Sequence, residues 1–125
     1  MVPVKFSAQE LMAVVGLSNA LLPVQELLSL AHLRSLLFIA AEPGLSVNEL
    51  ADRIGAPQPT ASRYVAVLLG RYQNVDNARP VQFIIQEVSA DDPRRRALFL
   101  TADGRRLIAD ILGSYVKSTS NGEHG

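Results

Sequence analysis

Apolar positions recur along most of this chain at the three- and four-residue spacing of amphipathic helices, and only one stretch switches to a strand-like run. Ser7-Ala-Gln-Glu10 has the form of a capping box, with a serine to accept from an early helix N–H and a glutamate to reach back. The helix it opens, Ala8–Leu17, carries Leu11, Val14 and Val15 on one face. Gly16 and the Ser18-Asn19 pair weaken it, and a second helical piece is expected around Ala20–Leu28, with Pro23 in its first turn. Ser29 is placed to cap a further helix, Ala31–Ala41, whose Leu33, Leu36, Leu37 and Ala40 predict a buried stripe. Pro43-Gly44 ends it.

A second capping box, Ser46-Val-Asn-Glu49, starts a short helix with Val47, Leu50, Ala51 and Ile54 on one side and Gly55 as its stop. Ala56-Pro57-Gln58-Pro59 turns the chain into the next helix, 59–69, where Ala61, Val65 and Leu68 point inward with help from Leu69. Gln58, Thr60, Ser62 and Arg63 are left on its outer face. Two short amphipathic helices about a tight turn, the second with a polar leading end, make the pattern of a helix-turn-helix.

After Gly70 the period changes. Tyr72–Pro80 reads as loop by composition, and Val81–Val88 as a strand by its β-branched and aromatic content. The polar turn Ser89–Pro93 leads to a second strand, Arg95–Leu100, and Thr101 caps a last helix, Ala102–Val116. Leu107, Ile108, Ile111, Leu112 and Tyr115 are that helix's apolar side. The expected fold class is mainly α with a small β-hairpin: a winged helix-turn-helix with extra N- and C-terminal helices. Residues 1–117 are expected to form one domain, and 118–125 a disordered tail.

Composition narrows the chemistry. There is no cysteine, and His32 and His124 are the only histidines. Thiolate ligands, disulfides and cysteine nucleophiles are therefore excluded, and no metal cluster, phosphate loop or nucleophile–base pair is visible. No catalytic residue, metal or cofactor is assigned, and the chain is not read as an enzyme. His32, in the first turn of its helix, is read as structural. The uncharged stretch between Glu10 and Glu26 contains Ser18, Asn19 and Pro23 and falls short of the ~20 residues a membrane span needs, so no membrane partner is expected and the location is read as cytoplasmic.

Twelve basic and twelve acidic residues cancel overall, but their distribution is uneven. Residues 1–52 hold two basic and five acidic residues, whereas residues 53–106 hold nine arginines against five acids. A basic middle on a neutral protein fits a module that grips nucleic acid with one face.

These features together resemble one family. Leu30–Leu69 looks like the DNA-binding core of the MarR family. Asp92-Pro-Arg-Arg-Arg96, followed by Leu100-Thr101-Ala102-Asp103-Gly104, resembles that family's wing and the start of its dimerisation helix. The stretch between the second helix of the motif and the wing is longer than the family usually shows. The resemblance implies a transcription regulator that binds duplex DNA as a two-fold homodimer, with a palindromic operator as its site. The apolar terminal helices argue independently for a partner copy. A repressor is the expected sense of regulation, since no activation surface is visible, and the sequence singles out no small-molecule effector.

A helix in the major groove offers its N-terminal residues to base edges. Gln58 suits adenine and Arg63 suits guanine, while Thr60 and Ser62 can meet bases or phosphates. Arg94, Arg95 and Arg96 at the hairpin tip are expected to reach the minor groove or its phosphates. Strand alternation sends Arg94 and Arg96 to one face and Arg95 to the other, with Asp91 or Asp92 expected to orient one of them by a carboxylate fork. Ser46, Arg53, Arg71 and Arg79 are candidate phosphate contacts, and Asp52 or Glu49 is an alternative partner for Arg53. The alternative function is a winged-helix protein–protein interaction module without DNA binding.

Overall fold

A computed structural model describes residues 5–71 and 81–123, the side chains of 117–123 excepted. In chain order the elements are α1 (Ala8–Leu21), a 3₁₀ turn (Leu22–Glu26), α2 (Leu30–Ala41), α3 (Val47–Ile54), α4 (Gln58–Leu68), β1 (Ile84–Val88), β2 (Arg96–Leu100) and α5 (Ala102–Glu123). This is the mainly helical chain with one antiparallel hairpin that the polar–apolar pattern predicts.

The core is aliphatic. Leu36, Ile39, Leu50, Leu68, Ile84 and Leu98 are fully buried, so α2, α3, α4 and the hairpin share one interior. On α2 the buried face is Leu33, Ser35, Leu36 and Ile39, and Leu37 is turned out, which corrects the expected stripe. Ser35 is tolerated inside because its hydroxyl donates to the Ala31 carbonyl at 3.1 Å.

The N-terminal helix departs further from its pattern. The serine half of the Ser7–Glu10 box forms, with the Ser7 hydroxyl accepting from the Glu10 N–H at 3.4 Å. The helix then runs through Gly16 to Leu21, and Pro23 sits in the 3₁₀ turn that follows rather than in a second α-helix. Its buried residues are Gly16 and Ala20, while Leu11, Val14 and Val15 are exposed. Small side chains let α1 lie against α5, and that close approach takes precedence over the apolar stripe.

At the other end α5 continues to Glu123, beyond Val116 and into the segment expected to be a disordered tail. No proline interrupts it, and each added residue of an established helix gains a hydrogen bond. No single described helix is long and apolar enough to cross a membrane.

The hairpin pairs Ile84 with Leu100 through Val88 with Arg96, so both strands are shorter than the apolar runs suggest. On its other side β2 is bonded at one point to the α2–α3 connection. The Gly44 N–H donates to the Leu98 carbonyl at 2.8 Å, and the Leu98 N–H to the Leu45 carbonyl at 2.9 Å. The step from β2 into α5 is equally tight. The Thr101 hydroxyl donates to the Gln82 carbonyl at 2.6 Å and accepts from the Gly104 N–H at 3.0 Å, capping α5. The Phe83 carbonyl crosses so near Gly104 that a Cβ there would lie 2.1 Å from its oxygen. The Leu-Thr-x-x-Gly motif is thus a cap followed by a close crossing.

Candidate nucleic-acid interface

The helix-turn-helix is assembled from local hydrogen bonds. The Ser46 hydroxyl accepts from the Glu49 N–H at 3.2 Å, and Glu49 Oε1 accepts from the Ser46 N–H at 3.0 Å, completing the predicted capping box. Gly55 ends α3 in the left-handed conformation, φ 68°. Arg34 of α2 then donates to the Ile54 carbonyl at 2.9 Å, closing the C-terminal end of α3 against α2. Pro57 enters α4 extended and Pro59 occupies its first turn. Gln58 is therefore the first helical residue rather than part of the turn, and α4 spans 58–68 instead of 59–69.

The outer face of α4 is as the sequence suggests. Gln58, Ser62 and Arg63 are exposed, and Thr60 is half-buried. Tyr64 faces partly inward, its ring edge-on to His32 of α2 with centroids 5.0 Å apart. His32 also contacts the Ser29 hydroxyl through Nδ1, and its burial lowers its pKa. It acts as a packing residue behind α4.

The wing sorts its three arginines. Asp92 Oδ1 accepts from the Arg94 N–H at 3.0 Å, and the Asp92 carbonyl accepts from the Arg95 N–H at 3.0 Å. The predicted fork from Asp91 or Asp92 is thus replaced by a carboxylate that shapes the turn through the backbone. The acid that pairs with an arginine is Glu49: Arg95 Nη2 lies 2.5 Å from Glu49 Oε1 and donates to the Gly44 carbonyl at 2.8 Å. The Ser46 backbone N–H, the Ser46 hydroxyl and Arg95 together lower the Glu49 pKa. Arg94 and Arg96 are exposed.

The wing and the start of α4 face a shared groove. Ser46 and Asn48 of the α3 start, Gln58, Gln86 of β1, and Arg94–Arg96 line one open groove. Arg63 lies further along α4, outside that groove's lining. Of the remaining candidates, Arg53 is bound to Glu42 at 2.9 Å rather than to Asp52 or Glu49. Arg71 is exposed, and Arg79 lies outside the described residues. Arg105 donates to the Leu100 carbonyl at 3.3 Å, and Arg106 pairs with Asp103 at 3.2 Å. Sequence reasoning missed Gln86 in the groove lining, and it missed the supporting bonds of Arg34 to Ile54 and of Gly44 to Arg95, whose partners are distant in the chain.

The sequence model of the MarR family matches residues 28–71, from the end of the 3₁₀ turn through α4. That match covers the helix-turn-helix segment, and over it the chain is similar to the MarR family. No curated protein sequence matches it. Solved structures that share the fold include RV1404 from Mycobacterium tuberculosis, at TM-score 0.73 and 18% identity over 91% of this chain and 70% of that one. A transcriptional repressor, CouR, bound to a 23-mer DNA duplex, gives TM-score 0.62 and 24% identity over 90% of this chain and 70% of its own. The MepR–DNA complex of Staphylococcus aureus gives TM-score 0.63 and 19% identity over 92% and 82%. The matched segment supplies α2, α3 and α4, and the hairpin and α5 follow outside it.

Proposed function

We infer that this protein is a sequence-specific double-stranded DNA-binding transcription regulator, a repressor, that works as a homodimer on a palindromic operator. α4 reads the major groove with Gln58, Thr60, Ser62 and Arg63. The wing over 89–96 lies on the minor groove or its backbone. The observation that carries the reading is the shared groove: the leading end of α4, the N-terminus of α3 and the wing arginines open on the same side of the molecule. A duplex laid there meets helix N–H groups and cations for its phosphates and polar side chains for its bases. The duplex-bound states of CouR and MepR add support from proteins of the same fold.

The dimer rests on exposed apolar surface. Met12 and Val14 of α1, Leu22, Leu27 and Leu30 around the 3₁₀ turn, and Leu112 of α5 are all exposed in one chain. Scattered exposed leucines need no explanation, but so many on the terminal segments suit a partner copy. Two reading heads in such a pair fall about 34 Å apart on a two-fold site.

Fluorescence anisotropy tests the reading, with labelled duplexes tiled across the region upstream of the protein's own gene in a salt series. Steep salt dependence and preference for one duplex are expected. Arg63→Ala should cost roughly 1–3 kcal/mol and flatten the sequence preference. No binding at low salt would refute it in favour of a protein–protein module.

A further inference from the structure

Two acids, Asp92 and Glu49, stand beside the groove where DNA phosphates are proposed to lie. Asp92 is absorbed by the backbone of its own turn. Glu49 accepts from the Ser46 N–H at 3.0 Å and pairs with Arg95 of the wing at 2.5 Å. The same Arg95 nitrogen donates to the Gly44 carbonyl at 2.8 Å. One guanidinium therefore ties the wing turn to the middle of the α2–α3 connection and to the first turn of α3. Further from the tip, the bonds of Leu98 to Gly44 and Leu45 pin the base of the wing to that connection.

We propose that Glu49 and Arg95 form a latch that sets the angle of the wing to the helix-turn-helix, so that Arg95 is a positioning residue and not a DNA contact. Arg94 and Arg96 are then the wing's DNA-facing cations. This rests on the DNA-binding reading above and revises the assignment of Arg95 within it. The latch also cancels the charge of Glu49 where phosphates approach.

The sign of one substitution separates this from simple electrostatics. If Glu49 were only an acid near the duplex, Glu49→Gln would remove repulsion and tighten binding. A latch predicts weaker binding. Glutamine preserves the capping box, because its oxygen can accept from the same Ser46 N–H, so α3 is kept.

The test compares the native chain with Glu49→Gln, Arg95→Gln, their double variant, Arg94→Gln and Arg96→Gln, by anisotropy on a fluorescein-labelled upstream duplex across a KCl series. Glu49→Gln and Arg95→Gln are each expected to weaken binding about two- to fivefold at an unchanged salt slope, the range of an exposed ion pair. The double variant is expected to be no weaker than either single one. Arg94→Gln and Arg96→Gln are expected to reduce the slope by about 0.9 each. A reduced slope in Arg95→Gln, or tighter binding in Glu49→Gln, would overturn the latch.

A measurement without DNA keeps the two readings apart. Amide hydrogen exchange over residues 89–96 of the free protein is expected to quicken in Glu49→Gln and Arg95→Gln but not in Arg96→Gln. Equal exchange in all of them overturns the latch whatever the DNA result. Failure of the native chain to bind any duplex overturns the DNA reading, and with it the latch's role in positioning for DNA.

Discussion

Gly104→Ala should destabilise this protein although it places a better helix former in a helix. A Cβ at Gly104 would sit 2.1 Å from the Phe83 carbonyl oxygen and 3.1 Å from its carbon, against the 3.0 Å that real Cβ contacts essentially never undercut. Relief requires α5 and the chain entering β1 to separate by about 1 Å, an overpacking that costs about 1–3 kcal/mol. The neighbours cannot yield freely. The Phe83 carbonyl accepts from the Thr101 N–H, and the Phe83 N–H donates to the Leu68 carbonyl, each at 2.9 Å. Weakening these adds about 1 kcal/mol, while helix propensity returns about 0.5–1 kcal/mol. The net is a loss of about 1–3.5 kcal/mol, or about 0.5–2 M in urea midpoint for a domain of this size. Gly113→Ala in the same helix is the control, since a Cβ there meets nothing within 4 Å. It should raise the stability by about 0.5–1 kcal/mol and move the midpoint upward. Urea unfolding followed by circular dichroism at several protein concentrations separates the pair. If Gly104→Ala matches or exceeds the native midpoint, the account of the Leu-Thr-x-x-Gly motif is wrong.

His32 predicts a pH dependence of stability. Burial lowers its pKa in the fold below the 6.5 of the free side chain, so the unfolded chain takes up the proton first. Stability should therefore fall as pH drops below 6.5 until the folded pKa is passed, and be independent of this group above 6.5; denaturation midpoints at stepped pH should show a flatter profile in His32→Gln. Arg34→Met keeps an apolar stem but removes the donor to the Ile54 carbonyl, with an expected loss of about 1 kcal/mol in urea unfolding. A native midpoint in that variant would mean that water serves the carbonyl equally well.

The parts of the fold legible in the sequence are those fixed by short-range hydrogen bonds. The Ser46–Glu49 box, the Gly55 stop and the Thr101 cap each close within three or four residues, and residue type alone specifies them. Contacts across larger separations were not legible. Arg34 meets a carbonyl 20 residues away, and Arg95 one 51 residues away; nothing local marks either arginine as different from its neighbours. The same limit explains Arg53, which finds Glu42 across the groove between helices rather than a carboxylate on its own helix. Apolar periodicity misled at α1, because packing against α5 selects for closeness at Gly16 and Ala20 and leaves the larger side chains outside. For the proposed interface, the exposure of Gln58, Ser62 and Arg63 on α4 followed from position, but the pairing of Arg95 with Glu49 and Gly44, beside an exposed Arg94 and Arg96, needed the third dimension.

The bonds between Leu98 and the Gly44–Leu45 segment bear also on how the protein avoids self-association. A bare two-stranded ribbon presents two rows of unpaired amides to any passing extended chain. Here the outward row of β2 is occupied at Leu98, one of the fully buried residues, by the protein's own connection. The opposite row belongs to β1, whose middle carries Gln86 and Glu87, and a charged strand is a poor template for uninvited pairing. The Gly44–Leu45 segment thus protects the most apolar strand of the hairpin from intermolecular β-sheet growth.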